Sequence, residues 1–310
     1  MTARHVLSLA DLDAATIRRI VDMAVAIGAG KPYGKPLADK VVGVYFKKTS
    51  TRTRTAFTIG AMKLGASVIS YGPNDLQINT GETLEDTARV LENYLDALVI
   101  RTNESVEEMR ALANAGNLPI VNAMSDSEHP TQALCDLAAL EEHFGRLEGL
   151  HVLYIGEGNN TTTALARAFG KLPNMTLTIV TPEGYGIPDE VVAEAQGYAA
   201  STGSTIEQHH RMDDLPHGVD AVYSTRWMTM GVQKKDADWL ERFRPYTIDP
   251  AVMARVSKSD TIFMHDLPAM RGYEVVDEVL DGPQSIAFRQ AFHKMSSAMG
   301  VLSYCILGHS

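Results

Sequence analysis

Apolar residues along the chain follow two alternating patterns. Short β-branched runs bounded by turn residues lie at Val41 to Phe46, Ser67 to Tyr71, Ala97 to Arg101 and Pro119 to Asn122. Between them apolar positions recur at helical spacing over about 52–64, 84–94 and 106–115. A helix is predicted from about Thr131 to Phe144, and the alternation restarts with strands at His151 to Ile155, Leu177 to Thr181, Ala221 to Ser224 and Ile262 to His265. Helical spacing returns over about Ile286 to Leu307. Strands that alternate with helices make parallel sheets covered by helices, so the simplest division is two α/β halves joined by the helix near 131–144.

Composition narrows the partners. With 310 residues, 45% of them hydrophobic and 21% charged, the chain can bury two sizeable cores. A formal net charge of -10 repels nucleic acid and anionic membranes at long range, so neither is expected as a partner. The two cysteines, Cys135 and Cys305, fall inside apolar helical patterns, which suits core positions in a reducing compartment. The start, MTARHVLSLADLD, lacks signal- and transit-peptide patterns, and no apolar run approaches the roughly 18 residues of a membrane span. A cytoplasmic protein is expected.

Parallel sheets bind ligands at the carboxyl ends of their strands. Unusual polar clusters should therefore end or follow strands, and they do: Ser50-Thr51-Arg52-Thr53-Arg54, Glu128 to Gln132 and Gly156 to Asn160 follow strands, while Arg101 ends the third and His265-Asp266-Leu267-Pro268 the last. In the first cluster, hydroxyls and backbone N–H groups at a helix start can converge with guanidinium groups on one anion. A solvated basic turn with a capping hydroxyl is the alternative. The segment lacks the glycines and the Gly-Lys-Ser/Thr ending of a nucleotide loop.

Ser50 to Arg54 resembles the carbamoyl-phosphate signature of the aspartate and ornithine carbamoyltransferases, and His129-Pro130-Thr131-Gln132 resembles their second signature. Gly81-Glu82-Thr83-Leu84 with Asp86-Thr87 follows the same family's pattern in order and spacing, and the similarity runs from about residue 5 to 307. The resemblance implies an enzyme that moves the carbamoyl group of carbamoyl phosphate onto a small amine without metal or organic cofactor. It implies two three-layer α/β domains with mainly parallel sheets, joined by interdomain helices. Residues 1–135 would bind carbamoyl phosphate and 136–285 the acceptor, while a C-terminal helix, 286–310, packs back on the first domain. A homotrimer with shared active sites is implied as well. Carried over by position, Ser50, Thr51, Arg52, Thr53 and Arg101 hold the phosphate, and Arg101, His129 and Gln132 reach the carbamoyl end. His129 polarises the carbonyl oxygen and Gln132 orients the NH2 group, so Arg52, Arg101, His129 and Gln132 form the catalytic set. Gln77 stands where the ornithine enzymes supply a residue from an adjacent subunit, and Lys294 where they carry a donor-site arginine.

The second half departs from the pattern. Gly156-Glu157-Gly158-Asn159-Asn160 resembles the Gly-Asp-Gly-Asn-Asn loop of ornithine enzymes, which makes Asn160 an acceptor contact. A dinucleotide fingerprint fails there, because Thr161 occupies the place of its third glycine. Thr225 stands where the ornithine enzymes carry an acceptor-binding aspartate. Arg226 resembles the Thr-Arg element of aspartate enzymes, and Thr229-Met230-Gly231 the Ser-Met-Gly loop of ornithine enzymes. The lysine that aspartate enzymes place before Gly-Glu-Thr is replaced by Thr80, which argues against aspartate as acceptor. His265-Asp266-Leu267-Pro268 resembles His-Cys-Leu-Pro, with a carboxylate where the cysteine lies near the reacting amine. The acceptor set is therefore Asn160, Thr225, Arg226, Thr229, Met230, Asp266 and Leu267. Asp266 has three readings: it alters the acceptor, it replaces the aspartate missing at 225, or it pairs internally with Arg271. Trp227 either stacks on a flat acceptor or is structural. The expected acceptor is a specialised-metabolite or nucleoside-like amine, with ornithine the alternative; a non-catalytic anion-binding or regulatory relative is the alternative of another class.

Overall fold

The computed structural model describes residues 3–228, 234 and 236–308. The chain divides into two compact units, residues 1–142 with 292–310 and residues 143–291.

The first unit is built on four parallel strands, β1 (Val41–Phe46), β2 (Ser67–Tyr71), β3 (Ala97–Arg101) and β4 (Ile120–Asn122), in the order β2-β1-β3-β4. The helices α1 (Ala14–Gly28), α2 (Arg52–Lys63), α3 (Leu84–Leu91) and α4 (Glu107–Asn114) accompany them. Then α5 (Pro130–Phe144) runs to the unit boundary. Strand β3 is buried at every position, as a central parallel strand covered on both faces must be. Its last residue, Arg101, pairs in register with Phe46 at the end of β1. The apolar positions that gave away α3 and α4 form one core with β1 and β3, including Leu91, Leu95, Leu98, Ile100, Met109 and Leu112. Gly43 in β1 is part of that packing, since a Cβ there would lie 2.7 Å from Leu95 Cδ1. Helix α1 was not among the expected elements, although its buried Ile17, Ile20, Val21, Ala24 and Ile27 have helical spacing and Asp13 caps it.

The second unit holds five parallel strands: β5 (His151–Ile155), β6 (Thr176–Val180), β7 (Thr205–His209), β8 (Val219–Ser224) and β9 (Ser257–His265), in the order β7-β6-β5-β8-β9. Its helices are α6 (Asn160–Lys171), α7 (Asp189–Thr202), α8 (Trp239–Phe243), α9 (Pro250–Val256) and α10 (Asp277–Leu280), and α11 (Ala287–Leu307) begins there and ends in the first unit. Strand β7 escapes a hydrophobic-pattern reading because, as an edge strand of sequence TIEQH, it buries fully only Ile206. Trp227 is 1% exposed and its ring centroid lies 5.2 Å from that of Phe243, so it belongs to the core and offers no face for stacking on a ligand.

Both sheets change direction of growth beside their first strand. In the first unit the reversal lies between β1 and β3, and in the second between β5 and β8. Such switch points open a crevice at the strands' carboxyl ends.

Candidate active site

The crevice of the first unit collects side chains from four stretches of sequence. Helix α2 begins at Arg52, directly after the β1 loop, with Thr51 at its N-cap position. The Thr51 side chain makes no capping hydrogen bond to α2. Thr53 is buried and accepts a hydrogen bond from Arg101 Nη1 at 3.1 Å. Arg101 Nη1 also lies 3.4 Å from His129 Nε2. Because a guanidinium has no acceptor, His129 Nε2 receives this contact, and Nδ1 then carries the ring proton toward Thr131 Oγ1 at 3.3 Å. Burial holds the His129 pKa well below its ordinary value, and the charges of Arg101 and Lys294 push the same way. The imidazole is therefore neutral at physiological pH.

Gln132 is clamped at both ends. Its Nε2 donates to Asp136 Oδ1 at 2.7 Å, one helical turn further along α5, and its Oε1 accepts from Lys294 Nζ on α11. A small recess is lined by Thr53, Ala56, Phe57, His129, Thr131, Gln132 and Lys294. The loop before α5 is tied down by the buried Glu128, which accepts from Leu9 N at 2.8 Å and from Ser8 Oγ at 2.5 Å.

Thr53, Arg101, His129, Gln132 and Lys294 are thus brought together, and Ser50, Thr51 and Arg52 adjoin Thr53 along the chain. Gln77 sits in an exposed 3-10 turn, where its Oε1 accepts from Thr80 Oγ1 at 2.6 Å. Among the described residues no hydrogen bond joins Gln77 to the cluster. Asp136 and Glu128 escaped attention as site residues: an aspartate one turn after Gln132 on an otherwise apolar helix face was the available signal.

The crevice of the second unit is built differently. Asn159 caps α6 by accepting from Thr161 N and Thr162 N, and its Nδ2 donates to Thr225 Oγ1 at 2.9 Å. The Tyr154 hydroxyl donates to Glu157 O at 2.5 Å, so its 2.9 Å contact with Thr225 is donated by Thr225. Burial pushes the Tyr154 phenol well up, which keeps this donor protonated. Thr225 is 2% exposed, and its hydroxyl serves the loop on both counts. Two glycines permit this fold-over. Gly156 has φ +137, and a Cβ on Gly158 would lie 2.3 Å from Ile187 N.

Asn160, the first residue of α6, is buried. Asp266 follows β9 and reaches the same helix start, where its Oδ2 accepts from Thr161 Oγ1 at 3.4 Å. Its side chain is 18% exposed, so the carboxylate keeps a face to solvent. Leu267 is at φ +55 and packs partly on the unit's core. Arg271 does not pair with Asp266. It holds Asp277 at 2.7 Å and Asp281 at 2.6 Å on the surface, which removes the internal ion-pair reading. The Arg226 side chain is half-buried, and its Nε has no hydrogen-bond partner among the described residues. Thr229 and Met230 lie outside the described residues.

Both units match domains of known proteins. Residues 4–142 match the carbamoyl-P binding domain of aspartate/ornithine carbamoyltransferase, and residues 148–305 match the Asp/Orn binding domain of the same family. The chain is 37% identical over 311 residues to an ornithine carbamoyltransferase of Caldicellulosiruptor saccharolyticus, covering 98% of this chain and 99% of the relative. It is 36% identical to that of Halalkalibacterium halodurans, over 99% of this chain and 97% of the relative. Among solved structures, the ornithine carbamoyltransferase from Pyrococcus furiosus superposes with a TM-score of 0.91 at 33% identity, covering 100% of this chain and 99% of that one. The chain belongs to the aspartate/ornithine carbamoyltransferase family, enzymes that transfer carbamoyl groups.

Proposed function

We propose that this enzyme carbamoylates the side-chain amine of ornithine from carbamoyl phosphate, with the donor in the first crevice and the amino acid in the second. The observation that carries the donor half is the convergence of Thr53, His129, Gln132 and Lys294 on one small recess beside the start of α2, with Arg101 bonded to Thr53 and in contact with His129. The phosphate is held by Ser50, Thr51, Arg52 and Thr53 at the helix start, with Arg101 and Lys294 supplying charge. Asp136 occupies Gln132 Nε2, so Gln132 meets the carbamoyl NH2 through Oε1, which keeps a second lone pair beside its bond from Lys294 Nζ.

The neutral acceptor amine attacks the carbamoyl carbon, the bond to the phosphate oxygen breaks, and the departing phosphate takes the amine proton. Charge grows on the carbonyl oxygen during attack, where fixed donors act best. A donor oxygen that takes over Arg101 Nη1 releases His129 Nε2. The neutral ring then donates from Nε2 while Thr131 Oγ1 donates to Nδ1, which reverses the present proton arrangement.

For the acceptor half, the names of the relatives favour ornithine. Asp266 supplies a carboxylate at the start of α6, beside Asn160, and replaces the negative charge that position 225 lacks. One observation favours a different amine: Thr225 is spent inside its own loop, so the acceptor meets a carboxylate directly after β9 rather than directly after β8. Gln77 completes the donor site of a neighbouring copy in a homotrimer, which its exposed turn suits. No helix among the described residues is long and apolar enough to cross a membrane.

The deciding experiment incubates the protein with carbamoyl phosphate and a panel comprising ornithine, putrescine, aspartate, 2,3-diaminopropionate and aminated nucleosides, and measures ureido product and phosphate. Citrulline formed with the highest kcat/KM supports ornithine. A higher value for another amine replaces it, and phosphate release independent of every amine overturns transfer.

A further inference from the structure

The most deeply buried ionisable pair of the second unit lies behind Asp266 rather than in the crevice. His265, the last residue of β9, and Glu274, nine residues later in the returning loop, are both fully buried, with Nε2 and Oε1 3.2 Å apart. The Leu267 amide lies 2.8 Å from His265 Nδ1. An amide can only donate, so Nδ1 must be the acceptor and the ring proton must sit on Nε2, facing Glu274. Glu274 Oε1 also accepts from Met270 N at 2.5 Å, while the His265 amide donates to Gln290 Oε1 at 2.8 Å. Asp266 stands between the two residues that this network fixes, and Leu267 takes up the left-handed conformation directly after it.

We propose that Glu274 is the positioning residue of the acceptor loop: by accepting the His265 Nε2 proton it commits Nδ1 to the Leu267 amide and so fixes the turn that presents Asp266. The chain of contacts is Glu274 Oε1, His265 Nε2–H, His265 Nδ1, Leu267 N–H. Without an acceptor at 274 the imidazole is free to carry its proton on Nδ1. That tautomer opposes two hydrogens across the 2.8 Å contact and expels the Leu267 amide. The carboxylate of Asp266 then loses its fixed direction toward Thr161 and the start of α6. This rests on Asp266 being the acceptor-binding carboxylate, as proposed above.

The test has two readouts. Nitrogen-15 NMR of the full-length protein labelled at histidine assigns the His265 tautomer, and initial-rate kinetics separate the KM of acceptor from that of carbamoyl phosphate. The wild-type ring is expected as the Nε2–H tautomer. Glu274→Met is expected to populate Nδ1–H and to raise the acceptor KM by about tenfold, with the carbamoyl-phosphate KM within about twofold. Glu274→Gln, whose amide oxygen accepts the same two bonds, is expected to restore the tautomer and bring the acceptor KM to within about threefold of wild type. A wild-type ring protonated on Nδ1 overturns the proposal, even where Glu274→Met fails to fold. So does a shifted tautomer in Glu274→Met with an unchanged acceptor KM. Failure of the acceptor assignment itself would show separately, as an Asp266→Asn variant with unaltered acceptor kinetics beside an intact Nε2–H ring.

Discussion

The two crevices occupy equivalent places in their sheets but spend their polar groups in opposite ways. At the β1/β3 switch point, Lys294, Gln132 and His129 line a small recess, and Arg101 backs it through Thr53 and His129. At the β5/β8 switch point, Asn159, Thr225 and Tyr154 satisfy one another, and Asp266, directly after the flanking strand, brings a carboxylate to the start of α6. The donor's phosphate is a fixed, strongly charged group that calls for preorganised cations. The acceptor varies within the family, and variation is cheapest on loops whose backbone is held by local hydrogen bonds.

Breaking the first crevice should have the largest effect. Arg101→Ala is expected to lower kcat/KM for carbamoyl phosphate by about a thousandfold, because it removes a donor aimed at both phosphate and carbonyl. Initial-rate kinetics check this, and a loss under tenfold would remove Arg101 from the donor site. Next comes Asp266→Asn, which keeps the shape and removes the charge. It should lower kcat/KM for the acceptor by about a hundredfold with the donor KM unchanged. Equal damage to both substrates would erase the proposed division of labour.

A smaller effect sharpens the donor side. Lys294→Met should raise the carbamoyl-phosphate KM about tenfold, whereas Lys294→Arg should hold it within about threefold, since guanidinium restores charge and adds a second donor direction. The smallest effect is on stability. His129 is kept neutral in the fold by burial and by Arg101 and Lys294, while in the unfolded chain it protonates near 6.5. The unfolded state therefore binds more protons below about pH 6.5, and the first unit should lose stability as pH falls through that value. Urea unfolding at pH 7 and pH 5 should show this loss reduced in His129→Gln; an equal loss in both would mean that the imidazole is not the group responsible.

Much of the fold was written in local pattern. Residue by residue, β1 and β3 coincide with their β-branched runs, because central parallel strands must be apolar throughout or nearly so, and β2 coincides with its run although it is an edge strand with no fully buried residue. Strand β7 was not legible, since an edge strand of sequence TIEQH shows little hydrophobic contrast. In the site, Arg52, His129 and Gln132 stood out because nothing about a core requires them. Asp136 and Glu274 did not, because a single buried carboxylate looks like a surface one until its partner is known.

The sequence by itself determined the periodicities of both sheets, the cations that follow β1 and β3, and the departures at Thr225, Asp266 and Lys294. Tertiary structure decided which of those departures turn inward and which keep a face to solvent. Thr225 turned inward because Asn159 and Tyr154 lie within 2.9 Å of its hydroxyl, while Asp266 kept a solvent face because His265 and Glu274 anchor the turn from behind. Spacing along the chain records residue chemistry, but hydrogen-bond partners 66 and 71 residues apart are chosen only when strands are placed side by side.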